Sequence, residues 1–151
     1  MVPSLGDGPR KFGRNRRVRK RREFVHVQGV ARRVTTRHYV LLVAARQPPK
    51  PGPARLGLVV TKKIGNAVAR NRVKRVCREC FRLWPEWLPD GVDLVVVARL
   101  GAETLGLAET RAEWEDVSGL VRSRAEEGLA RARAMPHGSH GAGRGRAAPK
   151  P

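Results

Sequence analysis

Between Thr61 and Arg82 the chain reads TKKIGNAVARNRVKRVCRECFR, and the cations here stand at spacings suited to holding phosphate. Lys62 and Lys63 precede Asn66, a residue type that caps helices, so two ammonium groups gather beside the unpaired N–H groups and positive dipole end of a helix start. Arg70, Asn71 and Arg72 follow within the first turns. Guanidinium forks bind phosphate in bidentate fashion and stack on bases, while an amide between them can read a base edge or a 2′-hydroxyl. Apolar residues recur at Ala69, Val73, Val76, Cys77, Cys80, Phe81 and Trp84. At about 100° per residue that is one side of a helix, and Asn71, Arg72, Lys74, Arg75, Arg78 and Arg82 take the other. Arg70 falls nearer the apolar stripe and is expected to reach around the helix start. A solvated surface face normally mixes signs. This one, interrupted only by Glu79, repels itself until a polyanion neutralises it.

Other chemistries are less well supplied. Cys77 and Cys80 form a C-x-x-C, which could serve redox chemistry or, with His137 and His140, zinc. Both thiols lie on the apolar stripe, where cysteine packs as a small hydrophobe. Acid–base work in phosphodiester cleavage calls for paired carboxylates or histidines. Glu79, Asp93, His26 and His38 make no pair visible in sequence, so no catalytic and no metal-ligating residue is assigned. The formal net charge of +19 is unevenly distributed: residues 1–82 hold 23 Lys and Arg against 3 Asp and Glu, the remainder 9 against 10. The excess in the first half marks the footprint of a nucleic acid. The sequence shows no apolar run of transmembrane or secretory length and no lipidation pattern, so a cytoplasmic location and no membrane partner are expected.

The elements that must position these residues follow from periodicity. A basic arm over 1–16 leads into a short helix, about Arg21–Gly29, with Phe24 and Val27 on one side. Val34–Arg46 reads as one long strand, apolar on both faces. Its Tyr39 can stack a base or belong to the core. A proline-rich loop, Gln47–Ala54, joins it to a strand at Leu56–Val60, and the basic helix comes next. WPEWLPDG turns the chain into a β-branched strand, Val92–Arg99. A last helix opens with a capping box at Thr110–Glu113 and turns Trp114, Val117, Leu120 and Val121 inward. The fold class is therefore α+β: one α/β sandwich domain over 17–133, ordered α-β-β-α-β-α, with a basic disordered tail over 134–151.

Residues 61–82 resemble the signature segment of the bacterial ribonuclease P protein subunit, approximately S-K-K-x-G-N-A-V-x-R-N-R-x-K-R-x-x-R-E-x-F-R, in register and without gaps. The resemblance extends more weakly from about Arg17 to Arg122. Gln28 stands where a second aromatic is frequent in that family. The resemblance implies a left-handed crossover and a partner RNA that itself hydrolyses precursor tRNA with bound Mg2+, releasing the 5′ leader. It implies one protein per catalytic RNA and no organic cofactor. Lys62, Lys63, Asn66, Arg70, Asn71, Arg72, Lys74, Arg75 and Arg78 would contact RNA, and a cleft including Phe24 and Tyr39 would hold the leader. Reversing Arg72 and Arg75 to Glu is expected to abolish assistance with the fold intact. A general or ribosome-associated RNA-binding protein is the other reading of the same basic helix.

Overall fold

A four-stranded mixed sheet is built from two pairings of different kind. Arg32–Thr35 (β1) and Tyr39–Ala45 (β2) form an antiparallel hairpin, with Val34 opposite Leu41. Arg55–Val59 (β3) and Val92–Ala98 (β4) run parallel, which requires a crossover, and Ala67–Arg82 (α2) supplies it. β4 also pairs antiparallel with β2, giving the order β1-β2-β4-β3. Arg21–Val30 (α1) precedes the sheet; Leu107–Asp116 (α3) and Ser118–Ala134 (α4) follow it. This computed structural model describes residues 16–18, 20–46 and 52–134. The basic arm, residues 47–51 of the proline-rich loop and the C-terminal tail lie outside them, Arg16 excepted.

Side-chain alternation divides the sheet into two buried faces. Tyr39, Leu41, Val43, Leu56, Leu94 and Val96 point to the side covered by α2, α3 and α4 and join Val73, Cys77, Phe81, Trp114 and Val121 in the main core. Leu42, Ala44 and Val95 point the other way, where Val27 and Phe24 of α1 meet them. Each fully buried aliphatic side chain contributes about 1.5–3 kcal/mol, so continuous apolar runs such as VDLVVVA suit a strand covered on both faces. The turn after α2 stacks Trp84 on Trp87 at 4.5 Å, and Trp87 donates from its indole N–H to the Ser118 carbonyl at 3.2 Å, joining that turn to α4. Among the described residues no helix is long and apolar enough to cross a membrane.

The α+β class stands, with two local corrections. The expected long strand is a hairpin broken at Thr36–His38. No glycine, proline or asparagine signals that turn; it is held by Glu113 of α3, which accepts from the Thr36 hydroxyl, from the His38 backbone N–H at 2.6 Å and from His38 Nδ1 at 2.8 Å. The last helix starts earlier than expected. Gly106 precedes it and the Glu109 carboxylate accepts the Gly106 N–H at 2.9 Å, so Glu113 is free of capping duty and reaches the hairpin instead. A break at Val117 then rotates the following residues, and Leu120 faces solvent while Val121 is buried. The element order is α-β-β-β-α-β-α-α.

Candidate RNA interface

β3 delivers the chain to a single 3-10 turn, Lys62–Ile64, which buries Ile64 and leaves Lys62 and Lys63 exposed. Gly65 then adopts a φ of 152°, where a β-carbon would also press on Ala69 at 3.0 Å, so glycine is the residue that lets the chain enter the helix. Asn66 caps α2, its side-chain oxygen accepting the Ala69 N–H at 2.9 Å. Val73, Cys77, Cys80 and Phe81 anchor one side of the helix in the core, which fixes the direction of every cation on it.

The polar side chains of this helix point in three directions. Asn71 and Arg75 point outward, exposed. Arg70 curls back, donating from Nε to the Gly65 carbonyl at 3.1 Å, and Arg72 leans toward α3, donating to the carbonyls of Glu103 at 3.3 Å and Leu105 at 3.1 Å. Arg72 is therefore part of the scaffold as well as of the basic face, and reversing it would disturb the 103–105 loop. Lys74 and Arg78 turn the third way, toward β3. There they line an open groove of about 330 Å³ with Arg17, Phe24, Gly57 and Leu58. Burial, and next the positive charge of Arg17, hold the Arg78 guanidinium below its ordinary pKa. A groove that crowds like charges in this way gains when an anion enters it.

Phe24 reaches this groove because Gly57 has no side chain: a β-carbon there would lie 2.8 Å from the ring. The same ring borders a second hollow of about 380 Å³ with Arg21, Val25, Gln28 and Val59. Tyr39 does not share the cleft with Phe24. It faces the opposite side of the sheet, fully buried, its hydroxyl paired with Thr110 Oγ1 at 3.2 Å and its ring edge-on to Trp114 at 5.8 Å. Burial pushes its phenol pKa upward. Strand alternation puts Tyr39 and Val40 on opposite faces but does not say which face α1 covers. Arg17 and Gly57 complete the groove and were not singled out by sequence; a glycine inside an apolar strand was the available signal of close approach.

Groups weighed for other chemistry are occupied. Burial raises both Cys77 and Cys80 to about 12, so both thiols stay protonated in the core at neutral pH. His137 and His140 lie outside the described residues, and among those described no three His, Cys, Asp or Glu side chains cluster as a metal site. Asp93 takes a bidentate bond from Arg55, both contacts at 2.8 Å, and lies 3.7 Å from Arg46; Glu23 accepts from Arg55 at 3.2 Å. Glu79 pairs with Arg82. His26 lies by the Ala45 carbonyl at one end of β2 and His38 sits at the other, so the two histidines do not approach each other.

Fold and site together define a basic, RNA-binding α+β protein in which Glu23, Glu79, Asp93, Glu113, His26 and His38 are held in scaffold contacts. A family model described as Ribonuclease P matches residues 12–121. The chain belongs to the ribonuclease P protein family and is a subunit of that ribonucleoprotein endoribonuclease, assisting 5′ maturation of precursor tRNA. Among its relatives, the ribonuclease P protein component of Syntrophus aciditrophicus is 38% identical over 96 residues, covering 64% of this chain and 78% of that one. The component of Syntrophobacter fumaroxidans is 41% identical over 107 residues, 70% of this chain and 87% of its own. The Staphylococcus aureus RNase P protein structure superposes with a TM-score of 0.63 at 28% identity, covering 72% of this chain and 97% of its own. The Thermotoga maritima protein gives 0.58 at 28% identity, with 67% and 93% covered.

Proposed function

We propose that the protein binds the ribonuclease P RNA and precursor tRNA at once, through two adjoining parts of one basic surface. Lys62, Lys63, Asn71, Arg75 and the start of α2 meet the phosphates of the catalytic RNA near the cleavage site. The groove between α1, β3 and α2 takes the 5′ leader, Phe24 stacking on a base while Lys74 and Arg78 hold flanking phosphates. Arg70 and Arg72 stiffen the two margins of this surface. The observation that carries the reading is the junction of the Phe24 groove with the α2 cations, since it gives a single strand one aromatic platform and a charged path leading away from it.

Hydrolysis in this reading belongs to the RNA and the Mg2+ it holds. The described residues offer no site fit for that ion, and no step is assigned to one. The protein lowers repulsion between two polyanions, and so lowers the Mg2+ concentration at which they associate. Only the precursor has a leader, so leader contacts favour substrate over product. The basic arm over 1–16 adds to RNA binding, and one protein acts per RNA. The test is cleavage of a 5′-extended precursor tRNA by a bacterial ribonuclease P RNA at low Mg2+, with and without this protein, beside a protein-only control. Strong stimulation without cleavage by the protein alone is expected; no stimulation with a cognate RNA would overturn the reading.

A further inference from the structure

The two ends of the sheet treat their cations in opposite ways. Where β2 ends and β3 and β4 begin, Arg46 and Arg55 surround Asp93 and Arg55 also binds Glu23. Nearby, Arg32 pairs with Glu127. At the other end, strand register aligns the β1–β2 turn with the exits of β4 and β3, for Tyr39 lies opposite Ala98 and Val59 opposite Val97. That end carries Arg37 in the turn, Arg99 just beyond β4, and Lys62 and Lys63 just beyond β3, all exposed. None of the four makes an ion pair among the described residues.

Acids are not missing from this end; they are used elsewhere. Glu113 grips Thr36 and His38, Glu103 accepts the Gly101 N–H at 3.1 Å, and Glu109 accepts the Gly106 N–H. Each carboxylate is engaged by backbone or hairpin donors, and among the described residues none forms an ion pair with Arg37, Arg99, Lys62 or Lys63. The same bonds make the rim rigid. Glu113 fixes the turn that presents Arg37, and Arg99 is set by its own N–H to the His38 carbonyl at 2.8 Å and by Nη1 to the Thr36 carbonyl at 2.7 Å.

We infer that Arg37 and Arg99, continuing the line of Lys62 and Lys63 across the end of the sheet, form a second phosphate-binding rim for double-helical segments of the partner RNA. The inference rests on the functional reading above and extends it beyond α2. Adjacent strands stand about 4.8 Å apart, so four strand ends give a track on the order of 15 Å. Its chemistry suits a duplex backbone rather than a single strand: the aromatic residues at this end, Tyr39 and Trp114, are buried, and its exposed apolar side chains, such as Leu100, are aliphatic. Unstacked bases find no platform here, whereas duplex RNA presents phosphates and keeps its bases inside.

The full chain is tested as Arg37→Glu and as Arg37→Glu/Arg99→Gln, against a bacterial ribonuclease P RNA and a single-stranded leader-length oligonucleotide, over a range of salt. The double variant is expected to bind the RNA about 10-fold or more weakly, with a salt slope smaller by about 1.5, while oligonucleotide affinity changes less than about twofold. Arg99→Gln removes a bond to the turn, but Arg37 makes no such bond among the described residues. The single variant must therefore show part of the same loss with an unchanged melting temperature. Wild-type affinity and slope in both variants, or equal loss on both probes, would overturn the rim. Failure of the wild-type chain to stimulate cleavage would instead sink the functional reading beneath it.

Discussion

Cys77 and Cys80 show how position decides what a side chain can do. Their spacing permits metal or redox chemistry, but burial holds both thiols near 12, several units from where a reactive cysteine titrates. In native protein at about pH 8, a thiol reagent such as dithionitrobenzoate should label neither, and unfolding in guanidinium should release both. Prompt labelling of the native chain would show the α2–sheet contact to be looser than described. Gly57 is the converse case, a residue without chemistry that governs a binding group. Gly57→Ala sets a β-carbon 2.8 Å from the Phe24 ring and 3.0 Å from Val18, so the ring must move. We expect a loss of about 1–3 kcal/mol in chemical denaturation. Binding should weaken selectively for leader-bearing precursor over mature tRNA; equal weakening for both would separate Phe24 from the leader. The α2 cations and the Asn66 cap were legible in sequence because helix period and cap chemistry are local. Tyr39 was not, because its burial depends on which face of the sheet α3 covers.

Elements placed by distant partners escape sequence reading for the same reason. The β1–β2 turn has no turn residues of its own and exists because one carboxylate from α3, some 75 positions away, accepts three donors within it. Burial would raise the Glu113 pKa, but bonds from Thr36 and from the His38 ring and backbone outweigh it and hold the carboxyl below its ordinary value. A group whose pKa is lowered by folding contributes stability above its unfolded pKa, and that contribution fades as pH falls through the folded value. Glu113→Gln should therefore cost about 1–3 kcal/mol near neutrality. The gap to wild type should narrow once the pH drops below the ordinary carboxylate range. Melting curves of both proteins across that range measure it, and a gap that stays constant into acid would mean that Glu113 is not charged in the fold. Gly101 belongs to the same unit. Its φ of +97° and the His38 ring 3.0 Å from any added β-carbon leave no room for a side chain.

For the whole molecule, the question is what its charge accomplishes. The fold neutralises arginines at one end of the sheet and on the outer helices, as in Arg111–Glu115 and Arg122–Glu126, and leaves Lys63 and Arg75, with Arg37 and Arg99 at the opposite sheet end, without an ion pair among the described residues. Such an arrangement stores self-repulsion that an RNA relieves, and counterion release makes the gain depend steeply on salt. If neutralising phosphate is the main contribution, another source of positive charge should replace it. Lys63→Glu/Arg75→Glu avoids Arg70 and Arg72, which hold loop carbonyls, and changes two exposed side chains. At low Mg2+ this variant should stimulate precursor cleavage by ribonuclease P RNA at least about 10-fold less than wild type, since two charge reversals remove at least two phosphate contacts. Raising Mg2+ should restore its rate to that of the wild-type holoenzyme, because divalent ions then screen the RNA pair instead. Single-turnover cleavage across a Mg2+ series decides it. A deficit that persists at high Mg2+ would mean that these side chains shape the RNA near the cleavage site, a task that bulk cations cannot perform.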